Sequence, residues 1–220
     1  AYYRGYWTVQ GQLDALYGNA AATPPIRYTP NGKTAIINIS SFTVDTPDQF
    51  KRNIELLDDG VENVIVDISY NGGGNVGAVF RLFGYLTETP IKYHSQNPAD
   101  GSKVTYTISS DYDAFEQYNF YIMISSVTFS AANLTASMAK EVGIPVIGQK
   151  SSGGASSIGM LQIPGGSVIR MSTNNVLSRR EVLEDGTYVY HSIEYGVEPD
   201  YKLVSVTNLQ LIQDFIESLS

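Results

Sequence analysis

Ser130 is the residue whose neighbours best equip it for chemistry. It follows an apolar, β-prone run (Phe120, Tyr121, Ile122, Met123, Ile124) and a short polar turn. It opens a segment in which Leu134, Met138 and Val142 recur at i, i+4 and i+8, a spacing that predicts a helix with one buried stripe beginning at Ser130. The first N–H groups of a helix have no intrahelical acceptor. A hydroxyl at that corner, with the Ala131 N–H beside it, therefore sets a nucleophile next to an oxyanion donor. Serine is also a common helix N-cap, and position alone does not separate the two readings.

The second feature is the triplet Gly72-Gly73-Gly74, which follows the strand-like run NVIVDIS and precedes an apolar helical segment. It lacks the Lys-Ser/Thr of a phosphate-binding loop and the spaced glycines of a dinucleotide turn. What bare backbone offers instead is close approach of a substrate carbonyl to N–H groups, each worth about 3 kcal/mol to a tetrahedral oxyanion. A tight strand-to-helix turn is the plainer alternative. Asp67, at the end of the strand, is expected to tie the turn down by hydrogen bonds. A base for Ser130 is harder to find, since the only histidines are His94 and His191. His191 precedes Glu194 by three residues and is the better placed of the two, but a lone histidine at a strand end is more often a satisfied surface residue.

These residues need elements to hold them. Thr34 to Phe42 and Asn63 to Ser69 read as buried strands. A helix capped by Thr46 and ending at Gly60 lies between them, and Val76 to Leu86 reads as the next helix. Ile91 to Ser109 reads as a β excursion around a loop at Asn97 to Lys103. Ile144 to Gly148 is a further strand, followed by short strands at Gly159 to Ile163, Val168 to Ser172 and Thr187 to His191. A last helix is expected to be capped by Thr207. Strand, glycine turn and helix in that order predict parallel α/β units. Residues 1–33 read as an aromatic, then Pro/Gly-rich lead-in with a short helix near Gln10 to Tyr17. Residues 34–220 read as the functional domain.

Composition narrows the function. A net charge of −8 and no basic run longer than Arg179-Arg180 argue against nucleic acid. The absence of cysteine excludes disulfides, thiolate chemistry and Cys-ligated zinc. Two isolated histidines and scattered acids offer no metal-ligand spacing, and no organic cofactor is called for. No segment approaches the roughly twenty apolar residues of a membrane span. The opening AYYRGYW carries neither an initiator Met nor a signal-peptide pattern, and reads as part of a longer precursor. Few Lys and much Tyr, Ser, Asn and Gly point to export, extracellular or at the cell envelope. Tyr2, Tyr3, Tyr6 and Trp7 are candidates to pack on an N-terminal partner domain or another copy of the chain.

Four blocks in order, VIVDISYNGGG, SVTFSAANLTASMA, PVIGQKSSGG and IEYGVEPD, span Val64 to Asp200. The set resembles the C-terminal-processing (tail-specific) serine peptidase family, and within it the tricorn-protease-like branch. That family carries a strand ending in Asp-Leu-Arg-x-Asn-x-Gly-Gly, then T-x-S-A-x-E, V-x-G-x-x-T-x-G and G-V-x-P-D. The resemblance implies an α/β fold of the crotonase and Clp-protease type: stacked ββα units, a core mixed sheet and flanking helices. It implies Ser130 as nucleophile, with the N–H groups of Ala131 and of Gly73 or Gly74 as oxyanion hole. It further implies Glu194 as a supporting carboxylate, with His191 the better internal candidate for base.

The chain departs from the pattern where the base should be. The processing-type lysine is replaced by Gly154, and Lys150 matches a position without a catalytic role. Tricorn-like members draw their base from a histidine upstream of the first strand, and both histidines here lie downstream of Thr34. Asn133 stands where the family more often has Glu. The expected activity is hydrolysis of peptides or unfolded chains through an acyl-enzyme. A non-cleaving peptide- or small-ligand-binding module on the same fold is the alternative. Acyl-CoA chemistry of the crotonase type would call for a basic nucleotide site and a glutamate near the glycine turn, and the sequence shows neither.

Overall fold

The computed structural model describes residues 2–17, 25–109 and 113–219. Its centre is a six-stranded mixed sheet in the order β1 (Ile26–Tyr28), β2 (Thr34–Asn38), β3 (Asn63–Asp67), β6 (Asn119–Ile124), β7 (Val146–Gly148), β11 (Tyr201–Lys202). Only the β1–β2 pair is antiparallel; the other four neighbour pairs run parallel. A parallel sheet covered on both faces must be apolar at successive positions, and β3, NVIVD, is buried at every residue.

The alternation of side chains along each strand sorts that apolar content between two layers. Ile37, Val64, Val66, Ile122 and Ile124 face α2 (Thr46–Ile54), α3 (Val76–Leu86) and α4 (Ala131–Glu141), packing with Phe50, Leu82, Phe83, Leu134 and Met138. Ile36, Ile65, Met123 and Ile147 face the other way, against Val9 and Leu13 of α1 (Tyr2–Tyr17) and Ile212 and Ile216 of α5 (Leu209–Glu217). The expected α/β class, a core mixed sheet flanked by helices, is what forms.

The lead-in is built into this core. Its helix is longer than the expected Gln10 to Tyr17, and Leu13 is fully buried beneath the sheet. Leu13→Ala should therefore cost about 2–5 kcal/mol, the range for a large-to-small change in a packed core. Urea unfolding measures it, and a change within 0.5 kcal/mol would show that α1 does not stabilise the domain. The side chains of Tyr2, Tyr3, Tyr6 and Trp7 lie outside the described residues.

A second sheet, β10 (Tyr188–Ser192), β9 (Val168–Val182), β4 (Ile91–Gln96), β5 (Lys103–Ile108), with β8 (Ser156–Gln162) added on β9, packs beside α4. Here the sequence reading is corrected. The strand expected to end at Ser172 continues to Val182, because its first half pairs with β8 and its second half with β10 and β4. Two helix caps also move. Asp45 precedes α2, while the Thr46 hydroxyl accepts the Thr43 N–H and donates to Ser41 O. Asn208, not Thr207, caps α5, its Oδ1 accepting from the N–H groups of Gln210 and Leu211.

Candidate active site

Ser130 sits at the N-cap of α4, but its hydroxyl makes no capping bond and no hydrogen bond to any described residue. Its backbone is held at φ 56°, ψ −122°, and it is the one non-glycine residue with positive φ among those described. L side chains rarely occupy that region, and holding one there costs on the order of 1–3 kcal/mol. The capping alternative therefore accounts for the position and not for the side chain.

Three loops hold the serine in that conformation. Its N–H donates to Gly153 O at 2.8 Å, and Phe129 bridges Gly153 in parallel pairing. The Phe129 N–H donates to Asn71 O, and the Ser152 N–H to Thr128 O. The Thr128 hydroxyl donates to Ile68 O and the Ser125 hydroxyl to Ser69 O, stitching the turn before Ser130 to the end of β3. Burial of these polar groups demands such pairing, and the turn gains rigidity from it.

The glycine triplet comes directly against the serine. A Cβ on Gly73 would stand 2.7 Å from Ser130 Cβ and 3.1 Å from Ala131 N. The Gly73 N–H is already donated to Asn71 Oδ1 at 2.7 Å and its carbonyl accepts from Phe42, so Gly73 serves as spacer and not as oxyanion donor. Gly74 bridges Phe42, and its own N–H has no acceptor among the described residues; the same holds for Ala131. Of the expected donors, Gly74 and Ala131 remain. Both line, with Ser130, a cleft of about 410 Å³ whose other walls include Val76, Tyr93, Leu134, Gly154, Ile158 and Leu177.

Asn71 escaped sequence reasoning. It is fully buried, and its Nδ2 donates to Ile39 O while Oδ1 receives Gly73 and its carbonyl receives Phe129. One residue thus clasps β2's end and the glycine turn with its side chain and the serine loop with its carbonyl. The signal was present as an Asx turn two residues ahead of a glycine. Asp67 does what was expected, accepting the Ser69 N–H at 2.9 Å while paired with Arg27 at 3.2 Å. Asn133 spends its amide structurally: Nδ2 donates to Ile193 O and Oδ1 accepts from Ser151.

Glu194 reaches the site through the backbone. Its Oε2 accepts the Ala155 N–H at 2.7 Å and its carbonyl accepts the Gly154 N–H at 3.0 Å. It therefore holds the segment whose Gly153 carbonyl accepts the Ser130 N–H. The histidines are elsewhere. His191 Nε2 pairs with Glu181 Oε2 at 2.7 Å on the half-exposed surface of the second sheet, and is not among the cleft's lining residues. This corrects its expected place beside the serine: its β10 register sets it opposite Arg179 of β9. His94 is buried, with Nδ1 at 2.9 Å from Thr105 Oγ1 and Nε2 at 3.2 Å from Glu141 Oε1. Burial holds its pKa below the ordinary range, against the upward pull of Glu141. Lys150 pairs with Glu198 at 3.2 Å.

Among the described residues no group of His, Asp and Glu is arranged to hold a metal ion. No helix among them is long and apolar enough to cross a membrane.

Residues 33–203 match the family model of Peptidase family S41. Solved structures share the fold at low identity. A photosystem II D1 C-terminal processing protease is 18% identical with a TM-score of 0.62, over 83% of this chain and 49% of that one. A lipoprotein from Streptococcus agalactiae is 18% identical with a TM-score of 0.60, over 98% of this chain and 75% of that one. The tricorn protease is 17% identical with a TM-score of 0.55, over 96% of this chain and 19% of that one. The chain thus spans about half the length of the D1-processing protease. No curated protein sequence matches it.

Proposed function

Since the chain belongs to peptidase family S41, we propose that it hydrolyses peptide bonds of peptides or unfolded chains through an acyl-enzyme on Ser130. Ser130 Oγ attacks the carbonyl carbon, and the oxygen that becomes negative is received by the N–H groups of Gly74 and Ala131. As the C–N bond breaks, the nitrogen leaves as an amine with the proton that the base removed from Ser130 Oγ, and water then cleaves the ester, restoring the serine hydroxyl and releasing the acid. Asn71 holds the glycine turn and the loop before Ser130, and Glu194 holds the segment from Gly153 to Ala155 behind it. His94 and His191 have other partners, so the base in this proposal comes from outside the described residues, on a partner domain or segment. Stacked ββα units of the crotonase and Clp-protease type go with the same reading.

The observation that carries it is the Ser130 hydroxyl, held at φ 56° beside two N–H groups in an open cleft, all three without a hydrogen-bond partner among the described residues. A capping serine has no need of that backbone. A fluorophosphonate probe tests it by intact mass. We expect one adduct per chain, mapped to Ser130 and absent in Ser130→Ala. No adduct, in this chain or in a longer form carrying its flanking segments, would leave a cleft that binds without cleaving.

A further inference from the structure

The cleft continues into an edge of sheet that has no protein partner among the described residues. β8 starts at Ser156, and Ser156, Ser157 and Ile158 form part of the cleft wall beside Ser130. β8 pairs with β9 on one side only. Sheet edges are normally protected by lysine, proline, brevity or a bulge, because unpaired backbone invites another strand. The seven residues SSIGMLQ hold no charge and no proline. The single irregularity, a register shift between Ser156 and Ile158, lies at the cleft end and leaves the rest of the strand regular.

The side chains along this edge are as unusual as its backbone. Ile158, Met160 and Leu161 are 61%, 67% and 53% exposed. They divide between the two faces of the strand, so neither face of the β8–β9 ribbon is covered. A two-stranded ribbon of this kind is marginal in water and gains from a third strand. In a chain of net charge −8, the stretch from Ser156 to Val176 carries one charged residue, Arg170. The surface therefore offers apolar contact and backbone hydrogen bonds and almost no charge.

We propose that the open edge of β8 docks an extended, uncharged, apolar-rich peptide as an added strand, which carries its scissile bond to Ser130. Main-chain hydrogen bonds supply affinity and alternate side chains read Ile158 and Met160. β8 is roughly 20 Å long and accommodates about six peptide residues on one side of the cut. The substrate is thus selected for an unfolded, strand-forming segment and not for a single residue. The docking stands on the edge itself; only its catalytic consequence rests on the proposed role of Ser130.

The test uses the full chain with Ser130→Ala, which prevents turnover, and an eight-residue fluorescent peptide of alternating Val and Ser. Two isomers carry backbone N-methyl groups on alternate residues, one in each register. An added strand turns every second N–H toward its neighbour. One isomer should therefore bind about tenfold or more weaker and the other within about threefold of the parent. A diazirine on the peptide should crosslink to residues 156–162. Equal behaviour of the two isomers, no binding of the parent, crosslinks confined elsewhere, or self-association through β8 that the peptide does not displace would each overturn the proposal. Fluorophosphonate labelling of the unsubstituted chain separates the two claims. A labelled Ser130 without register-dependent binding removes the docking edge and keeps the nucleophile. Register-dependent binding without labelling, in this chain and in a longer form carrying its flanking segments, does the reverse.

Discussion

Ser130→Gly should abolish hydrolysis and at the same time make the protein more stable. The loss is large, at least about 10⁴-fold, because without Oγ no acyl-enzyme forms. The gain follows from the backbone. At φ 56°, ψ −122° the residue occupies the first central position of a type II′ turn, where glycine is at home and a Cβ is crowded. Relief of roughly 1–3 kcal/mol of strain exceeds the 0.5–1 kcal/mol that glycine's extra freedom in the unfolded chain costs. A net rise of about 1 kcal/mol corresponds to about 2–4 °C in melting temperature for a chain of this size. Ser130→Ala is the control, since it removes the same hydroxyl but keeps the Cβ. It should be as inactive and show no such gain. Paired thermal melts decide the matter, and a glycine variant no more stable than the alanine variant would mean that Ser130 stores no strain.

That opposition explains why Ser130 was legible in sequence only as a position. The corner itself followed from periodicity: an apolar run, a polar turn and a stripe at Leu134, Met138 and Val142 place a helix start at Ser130 with little freedom. Most sheet strands were legible for the same reason, since burial on both faces writes continuous apolar runs such as NVIVD. The positive φ was not, because it is imposed by three loops distant in sequence. Gly153 O takes the serine's N–H, Asn71 O takes that of Phe129, and Gly73 leaves the room. Long-range hydrogen bonds of this kind leave no local periodicity.

The same limit accounts for the two corrections at the site. Gly73 and Gly74 are indistinguishable as letters, and only the Asn71 side chain decides which N–H stays free. His191 and Glu194 are three apart in sequence, which brings them near in the chain but not in the site. Glu194 follows the end of β10 and turns its carboxylate to Ala155, whereas His191 lies within β10 and pairs across the strand with Glu181. Spacing along a strand-to-loop junction fixes no common direction. The length of β9 was missed for a related reason. Its halves have different partners, and no single alternation runs through all fifteen of its residues.

The glycine triplet yields the sharpest contrast, because three adjacent Gly→Ala changes should behave in three ways. At Gly72 an added Cβ meets nothing within 4 Å, so both stability and labelling rate should stay near the unsubstituted values, within about 0.5 kcal/mol for stability. At Gly73, where φ is 109°, the methyl would press on Ser130 Cβ at 2.7 Å and on Ala131 N and Phe129 O at 3.1 Å, so it should cost about 1–3 kcal/mol of stability and displace Ser130 as well. At Gly74 it would stand 2.1 Å from the Phe42 carbonyl oxygen, with φ at 137°. That oxygen accepts the Asn75 N–H at 2.8 Å and anchors the start of α3, so relief requires the bridge to open. Lost pairing and strain together should cost about 2–4 kcal/mol. Moving the Gly74 N–H away from the oxyanion should slow phosphonylation of Ser130 by a further 10²–10³-fold, about the worth of one such donor. Labelling rates, read where circular dichroism shows each variant folded, separate the two effects. A Gly74→Ala chain that is folded and labels at the normal rate would take Gly74 out of the oxyanion hole and leave Ala131 as its only assigned donor.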